Sequence, residues 1–114
     1  TDVWSARQAG RATYDALLRS GVRVFEMEGR VFHAKQSLID DVSVIGSGNL
    51  DYRSFLHNQE VMVQCTDPDL AKSLILQWGI DINEAREIHL SEWRRRSLWQ
   101  KISEKLCYGF RYYL

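Results

Sequence analysis

Three short β-type runs, Val22–Glu28, Val42–Ser47 and Gln59–Cys65, lie between stretches of helical periodicity. Gly29, the Asp40-Asp41 pair and the Gly46-Ser47-Gly48-Asn49 loop bound them, as turn formers bound strands. Helix, then strands, then helices within 114 residues predicts an α/β fold, a mixed β-sheet flanked by helices with a modest core. The first helix is expected to start at the Asp2 cap and run to about Ser20. Trp4, Ala9, Ala12, Ala16 and Leu17 lie near one face of it, and Gly21 is the stop. Residues 30–35 and 36–40 read as extended, and Asp40-Asp41 as a tight turn into the apolar run Val42–Ile45, which suits a strand covered on both faces. Asp67-Pro68 supplies cap and first-turn proline to a helix with a Leu70, Leu74, Ile75 and Trp78 stripe, which Gly79 weakens or ends. Residues 80–88 read as a further helical segment, and Ser91 opens a last helix.

Formal charge is zero, which argues against a nucleic-acid binder held by bulk positive charge. The charge is nevertheless segregated. From Ser91 onward, six basic residues (Arg94, Arg95, Arg96, Lys101, Lys105, Arg111) face Glu92 and Glu104, leaving +4, so residues 1–90 carry −4. The two cysteines, Cys65 and Cys107, have neither metal-ligand nor redox spacing and read as free thiols of a reducing compartment. No apolar run approaches the roughly 20 residues of a membrane span. A start at Thr1, without Met and inside an apparent helix start, reads as a piece of something longer.

The chemistry-bearing stretch is His33-Ala34-Lys35, Asp40, Gly46-Ser47-Gly48-Asn49 and Glu60. In an extended segment His33 and Lys35 share a face. An imidazole beside a fixed cation suits a phosphodiester: Lys35 neutralises oxygens while His33 transfers a proton or attacks phosphorus. Ser47 and Asn49, two apart, can donate to the same phosphate, and Gly46 and Gly48 let backbone and substrate approach. Glu60 is a candidate to hold the second imidazole nitrogen. Taken singly, a strand histidine is more often structural and a GSGN loop more often a plain turn.

Together, His33-x-Lys35-x4-Asp40 followed by Gly46-Ser47-x-Asn49 resembles the HKD motif of the phospholipase D superfamily. Asn49-Leu50-Asp51-Tyr52-Arg53-Ser54, His57-Asn58-Gln59-Glu60-Val61, the Tyr14–Ala34 run and Glu92-Trp93-Arg94-Arg95-Arg96 are similar to bacterial cardiolipin synthases. The resemblance covers essentially the whole chain. It implies one half of a two-lobed fold, with residues 1–90 the second HKD half-domain and 91–114 a basic amphipathic helix. It also implies a phosphatidyltransferase without metal or cofactor, acting at the bacterial inner membrane. His33 is then the acid/base, Lys35, Ser47 and Asn49 the phosphate contacts, and Asp40 a supporting member of the catalytic set. The opposing nucleophile would come from an N-terminal HKD half or a second copy, the substrate being phosphatidylglycerol. Five residues separate Asp40 from Gly46 where the family usually has six, a difference that a tightened turn near Asp41–Ser43 would absorb without reversing later side chains. Rival expectations are a phospholipase D or nuclease using the same chemistry, and a non-catalytic membrane or partner-binding module.

Leu98, Trp99, Ile102, Leu106, Phe110 and Tyr113 recur at helical spacing opposite Gln100, Lys101, Glu104, Lys105 and Arg111. Such a helix either packs on the rest of the enzyme or lies on an anionic membrane surface. His57 and His89 read as structural or surface residues.

Overall fold

The computed structural model describes residues 4–110; the expected Asp2 cap, Arg111 and Tyr113 lie outside them. The chain forms two compact units, one from residues up to 32 together with those from 85 onward, the other from residues 33–84.

In the first unit, α1 (Trp4–Arg11) and α2 (Tyr14–Arg19) occupy the stretch expected to be one helix. Thr13 explains the break. Both its amide and its hydroxyl donate to the Gly10 carbonyl, at 3.1 and 2.8 Å, so the side chain competes with the helical pattern. Gly21, at φ 81°, is the left-handed stop expected of it. β1 (Val24–Met27) pairs antiparallel with β5 (Ala85–Ile88), from Val24 opposite Ile88 to Met27 opposite Ala85. That pairing corrects the helical reading of residues 80–88 at 85–88, while 80–84 are helical as expected.

The tail is two helices, α5 (Leu90–Arg94) and α6 (Leu98–Gly109). Between them Ser97 and Gln100 form a reciprocal capping box, Ser97 N donating to Gln100 Oε1 and Gln100 N to Ser97 Oγ. Because α6 packs on α1 and α5 on α2, residues 91–110 are built into this unit. Its core gathers on Trp93, which is 3% exposed. Tyr14 lies 5.0 Å from it between ring centroids, and the Arg96 guanidinium stacks 3.1 Å above it. Burial, with Glu26 adding, pushes Tyr14 up to about 12.

In the second unit, β2 (Gln36–Ile39), β3 (Val42–Gly46) and β4 (Met62–Cys65) form an antiparallel sheet in the order β2-β3-β4. All strand pairings among the described residues are antiparallel, three ladders in two sheets, within the expected α/β class. The β2–β3 register runs unbroken from Gln36 opposite Ile45 to Ile39 opposite Val42. Asp40 and Asp41 alone therefore make the turn, with Asp40 at φ 52°. Residues 52–56 form the one-turn helix α3 (Tyr52–Leu56), capped by Asp51 Oδ1, which accepts from Ser54 N at 2.8 Å.

α4 (Pro68–Glu84) packs on β3. Asp67 Oδ1 accepts from Asp69 N and Leu70 N, the cap expected of it. The helix passes through Gly79 without ending, so of the two expectations the stop is not met and the weakening is left; a helical glycine costs only about 1 kcal/mol. Of its expected stripe, Leu70 and Leu74 are half-buried while Ile75 and Trp78 are exposed; Ala71 is the buried residue. The cover of β3 is uneven rather than complete: Val42 and Val44 are half-buried on one face, while on the other Ser43 is buried and Ile45 exposed. The row Leu38–Ser43–Cys65 crosses the sheet as its least exposed line, with Ser43 the most buried residue.

Candidate active site

The three-stranded sheet collects the predicted residues at one end. Beyond the last β2–β3 pair, Gly46 N donates to the Lys35 carbonyl at 3.1 Å, and Ser47 N donates to the Val61 carbonyl at 3.0 Å. Lys35, Ser47 and the Glu60–Val61 step thus occupy adjacent positions of three neighbouring strands. Asp40 stands at the other end of the hairpin, about 16 Å away at ~3.3 Å per residue. It belongs to the turn. Aspartate tolerates the left-handed conformation needed there, which gives Asp40 a structural reason and removes it from the reacting cluster.

Glu60 is the hub of a polar frame. Its Oε2 accepts from Ser47 Oγ at 2.5 Å, and its Oε1 accepts from Ser54 Oγ at 2.8 Å and Asn58 Nδ2 at 3.3 Å. Ser47 Oγ in turn accepts from Val61 N at 3.0 Å, and Ser54 Oγ from Asn49 N at 3.1 Å. The bonds from Ser47 and Ser54 hold the Glu60 carboxyl below its usual range. Asn58 and the Lys35 charge add to them, against partial desolvation. Lys35 is tied to this end of the sheet through its carbonyl, which accepts from Gly46 N. Its Nζ donates to the His33 carbonyl at 3.0 Å.

Four expectations change. Glu60 makes no hydrogen bond to His33 among the described residues, because both its oxygens are engaged by Ser47, Ser54 and Asn58. Ser47 has its hydroxyl proton on Glu60 and a lone pair on Val61 N, so it braces the loop rather than offering a free donor to a phosphate. Residues 33–35 precede β2, and the turn back of Lys35 onto the His33 carbonyl replaces simple strand alternation. Gly46 serves strand packing, since a Cβ there would run into the Val61 carbonyl and approach Met62 Cα to 2.9 Å.

What stands clear of this frame is the exposed His33 imidazole, the remaining donors of Lys35 and the exposed Asn49 side chain. An imidazole can move a proton, and an ammonium and a carboxamide can steady anionic oxygens. Ser54 and Asn58 are the frame members that the sequence reading did not single out. The available signal was the Asp51-x-x-Ser54 cap spacing and the Asn58-x-Glu60 pair. Among the described residues no cluster of His, Cys, Asp or Glu has the makings of a metal site.

An α/β chain with a His-x-Lys pair and a Gly-Ser-x-Asn loop at one end of a sheet has the features of the phospholipase D-like class. Comparison with known families makes this specific. Residues 1–77 match the family described as "Cardiolipin synthase, PLD-like domain", and the chain belongs to that family. It is 34% identical over 110 residues to cardiolipin synthase A of Proteus mirabilis, covering 96% of this chain and 23% of that protein. To cardiolipin synthase A of Klebsiella pneumoniae subsp. pneumoniae and of Escherichia coli O157:H7 it is 35% identical over 103 residues, covering 90% of this chain and 21% of theirs. The chain thus spans between a fifth and a quarter of the length of these relatives. No solved structure matches it significantly.

Proposed function

We propose that this chain supplies one of two HKD motifs to a phosphatidyltransferase that forms cardiolipin from two phosphatidylglycerol molecules. The observation that carries the reading is the gathering of Lys35, Ser47 and Glu60 at one sheet end, next to His33 and Asn49, in a chain of the cardiolipin synthase family. In this scheme the histidine of the other motif, from an N-terminal half or a second copy, attacks phosphorus. The phosphorus–oxygen bond to glycerol breaks, and His33 protonates the departing alkoxide. His33 then removes the hydroxyl proton of a second phosphatidylglycerol, whose oxygen displaces the histidine to give cardiolipin. Lys35 and Asn49 stabilise the charge that builds on the phosphate oxygens. Asp40 supports the hairpin. Glu60, Ser47 and Ser54 hold Asn49 and the loop in place.

The work is placed at the inner membrane of a bacterium. Among the described residues no helix is long and apolar enough to cross a membrane. The membrane contact is assigned to α6, whose Leu98 and Trp99 are 76% and 80% exposed. The test is a lipid-product assay on the full-length protein with labelled phosphatidylglycerol. Cardiolipin and free glycerol in equal amounts are expected. Phosphatidic acid without cardiolipin would replace transfer by hydrolysis.

A further inference from the structure

α6 is turned opposite to an ordinary packed amphipathic helix. Its buried residue is Glu104, 4% exposed, and Ser103, Cys107 and Tyr108 are half-buried beside it. Leu98, Trp99, Ile102, Leu106 and Phe110 face away from the unit. At about 100° per residue these five span one stripe, and Lys101 and Lys105 border its edge on the Leu98 side.

Those two lysines also line a cleft of about 300 Å³ among α2, α5 and α6, together with Arg19, Arg94, Arg96, Asp15 and Glu104. Five cations and two carboxylates leave the lining three charges positive. Both carboxylates are already matched. Asp15 pairs with Arg19 at 2.7 Å and with Arg94 at 3.7 Å, and Glu104 pairs with Arg96 and, at 4.0 Å, with Arg11. Lys101 Nζ donates one bond to the Arg94 carbonyl at 2.8 Å, leaving two donors. Lys105 has no ion pair among the described residues. The buried indole Nε1–H of Trp93, another lining residue, has no acceptor among them either. An uncompensated positive cleft bordering an exposed aromatic and aliphatic stripe has the two-part chemistry of an anionic lipid: phosphate in the cleft, acyl chains along the stripe.

We propose that this cleft is a non-catalytic binding site for the phosphate headgroup of an anionic phospholipid at the membrane surface. The site rests on the membrane-facing part of the proposed function and is independent of the transfer chemistry at His33.

The test is vesicle sedimentation with the full-length protein, using pure phosphatidylcholine and equal parts phosphatidylcholine and phosphatidylglycerol. Lys101→Gln with Lys105→Gln should weaken binding to the anionic vesicles about thirtyfold, at roughly 1 kcal/mol per basic residue. Binding to pure phosphatidylcholine should stay as in the unmodified protein, and Lys101→Arg with Lys105→Arg should restore the loss. The arginine pair also guards against misfolding, because it keeps charge and length while the thermal midpoint of each variant is followed. Anionic-vesicle binding unchanged in a folded double Gln variant would overturn the site. So would full competition by inorganic phosphate or glycerol phosphate alone, since the ligand would then be a soluble phosphate rather than a lipid. Binding needs no turnover. A protein that shows the expected lysine dependence yet makes no cardiolipin would support the site and retire the transfer reading.

Discussion

Two hydroxyls and one carboxylate define how the candidate site is held. Ser54 accepts from the Asn49 amide and donates to Glu60, so it ties the loop carrying Asn49, the proposed phosphate contact, to the hub of the frame. Ser54→Ala removes both bonds, and is expected to cost about 1 kcal/mol of stability and to lower cardiolipin formation through a misplaced Asn49. Chemical denaturation and the lipid assay on the same preparations would check it. Glu60 gives a pH signature. Its folded pKa lies below the ordinary 4.5, so the stability it contributes is present above that value. That stability is lost as pH falls through the lower folded value. The thermal midpoints of wild type and Glu60→Gln should therefore differ most near neutrality and converge in acid. A gap that persists unchanged in acid would mean that the carboxylate charge is not what holds the frame. The motif residues themselves were legible because their types and spacing are chemical. Their bonding was not, because a serine two residues before an asparagine looks equally suited to a phosphate or to a neighbouring glutamate. Only the β3–β4 pairing decides between them.

At the scale of elements, the hairpin explains the short spacing between Asp40 and Gly46. A two-residue turn keeps Gln36 opposite Ile45 and Ile39 opposite Val42, so the ladder stays in register and Ser47 remains beside Glu60. Because Asp40 occupies the left-handed region, Asp40→Gly should be near neutral while Asp40→Val should cost about 1–2 kcal/mol, read as a shift in urea midpoint. Loss of turnover in a fully folded Asp40→Gly variant would return Asp40 to the chemistry. Local signals predicted this turn, the Gly21 stop and the Asp67-Pro68 start, because each depends on residues a few positions apart. The strand Ala85–Ile88 was missed because its partner β1 lies some sixty residues earlier, and four residues carry too little periodicity to reveal a distant ladder. The break at Thr13 was likewise hidden. Its cause is a side chain folding back on Gly10, while the apolar spacing continues across it.

Across the whole molecule, charge is divided along the sequence in the same way as the proposed tasks. The stretch from Ser91 onward is basic, and residues 1–90, which carry His33, Lys35 and Asp40, are acidic. The chain covers between a fifth and a quarter of each relative's length. Overall class was readable from the order of helices and strands. The inward turn of Glu104 on α6 was not, because a helical wheel gives the two faces of a helix without saying which one the neighbouring helix covers. In the proposed chemistry His33 serves as the acid and base of phosphatidyl transfer, with Lys35 and Asn49 on the phosphate. Its most direct test is cardiolipin formation by the full-length protein carrying His33→Ala, Lys35→Ala or Asn49→Ala, each first checked for an unchanged thermal midpoint. No detectable cardiolipin is expected with His33→Ala, and losses on the order of 10²-fold or more with each of the other two. Cardiolipin formed at the wild-type rate by a folded His33→Ala protein would contradict it.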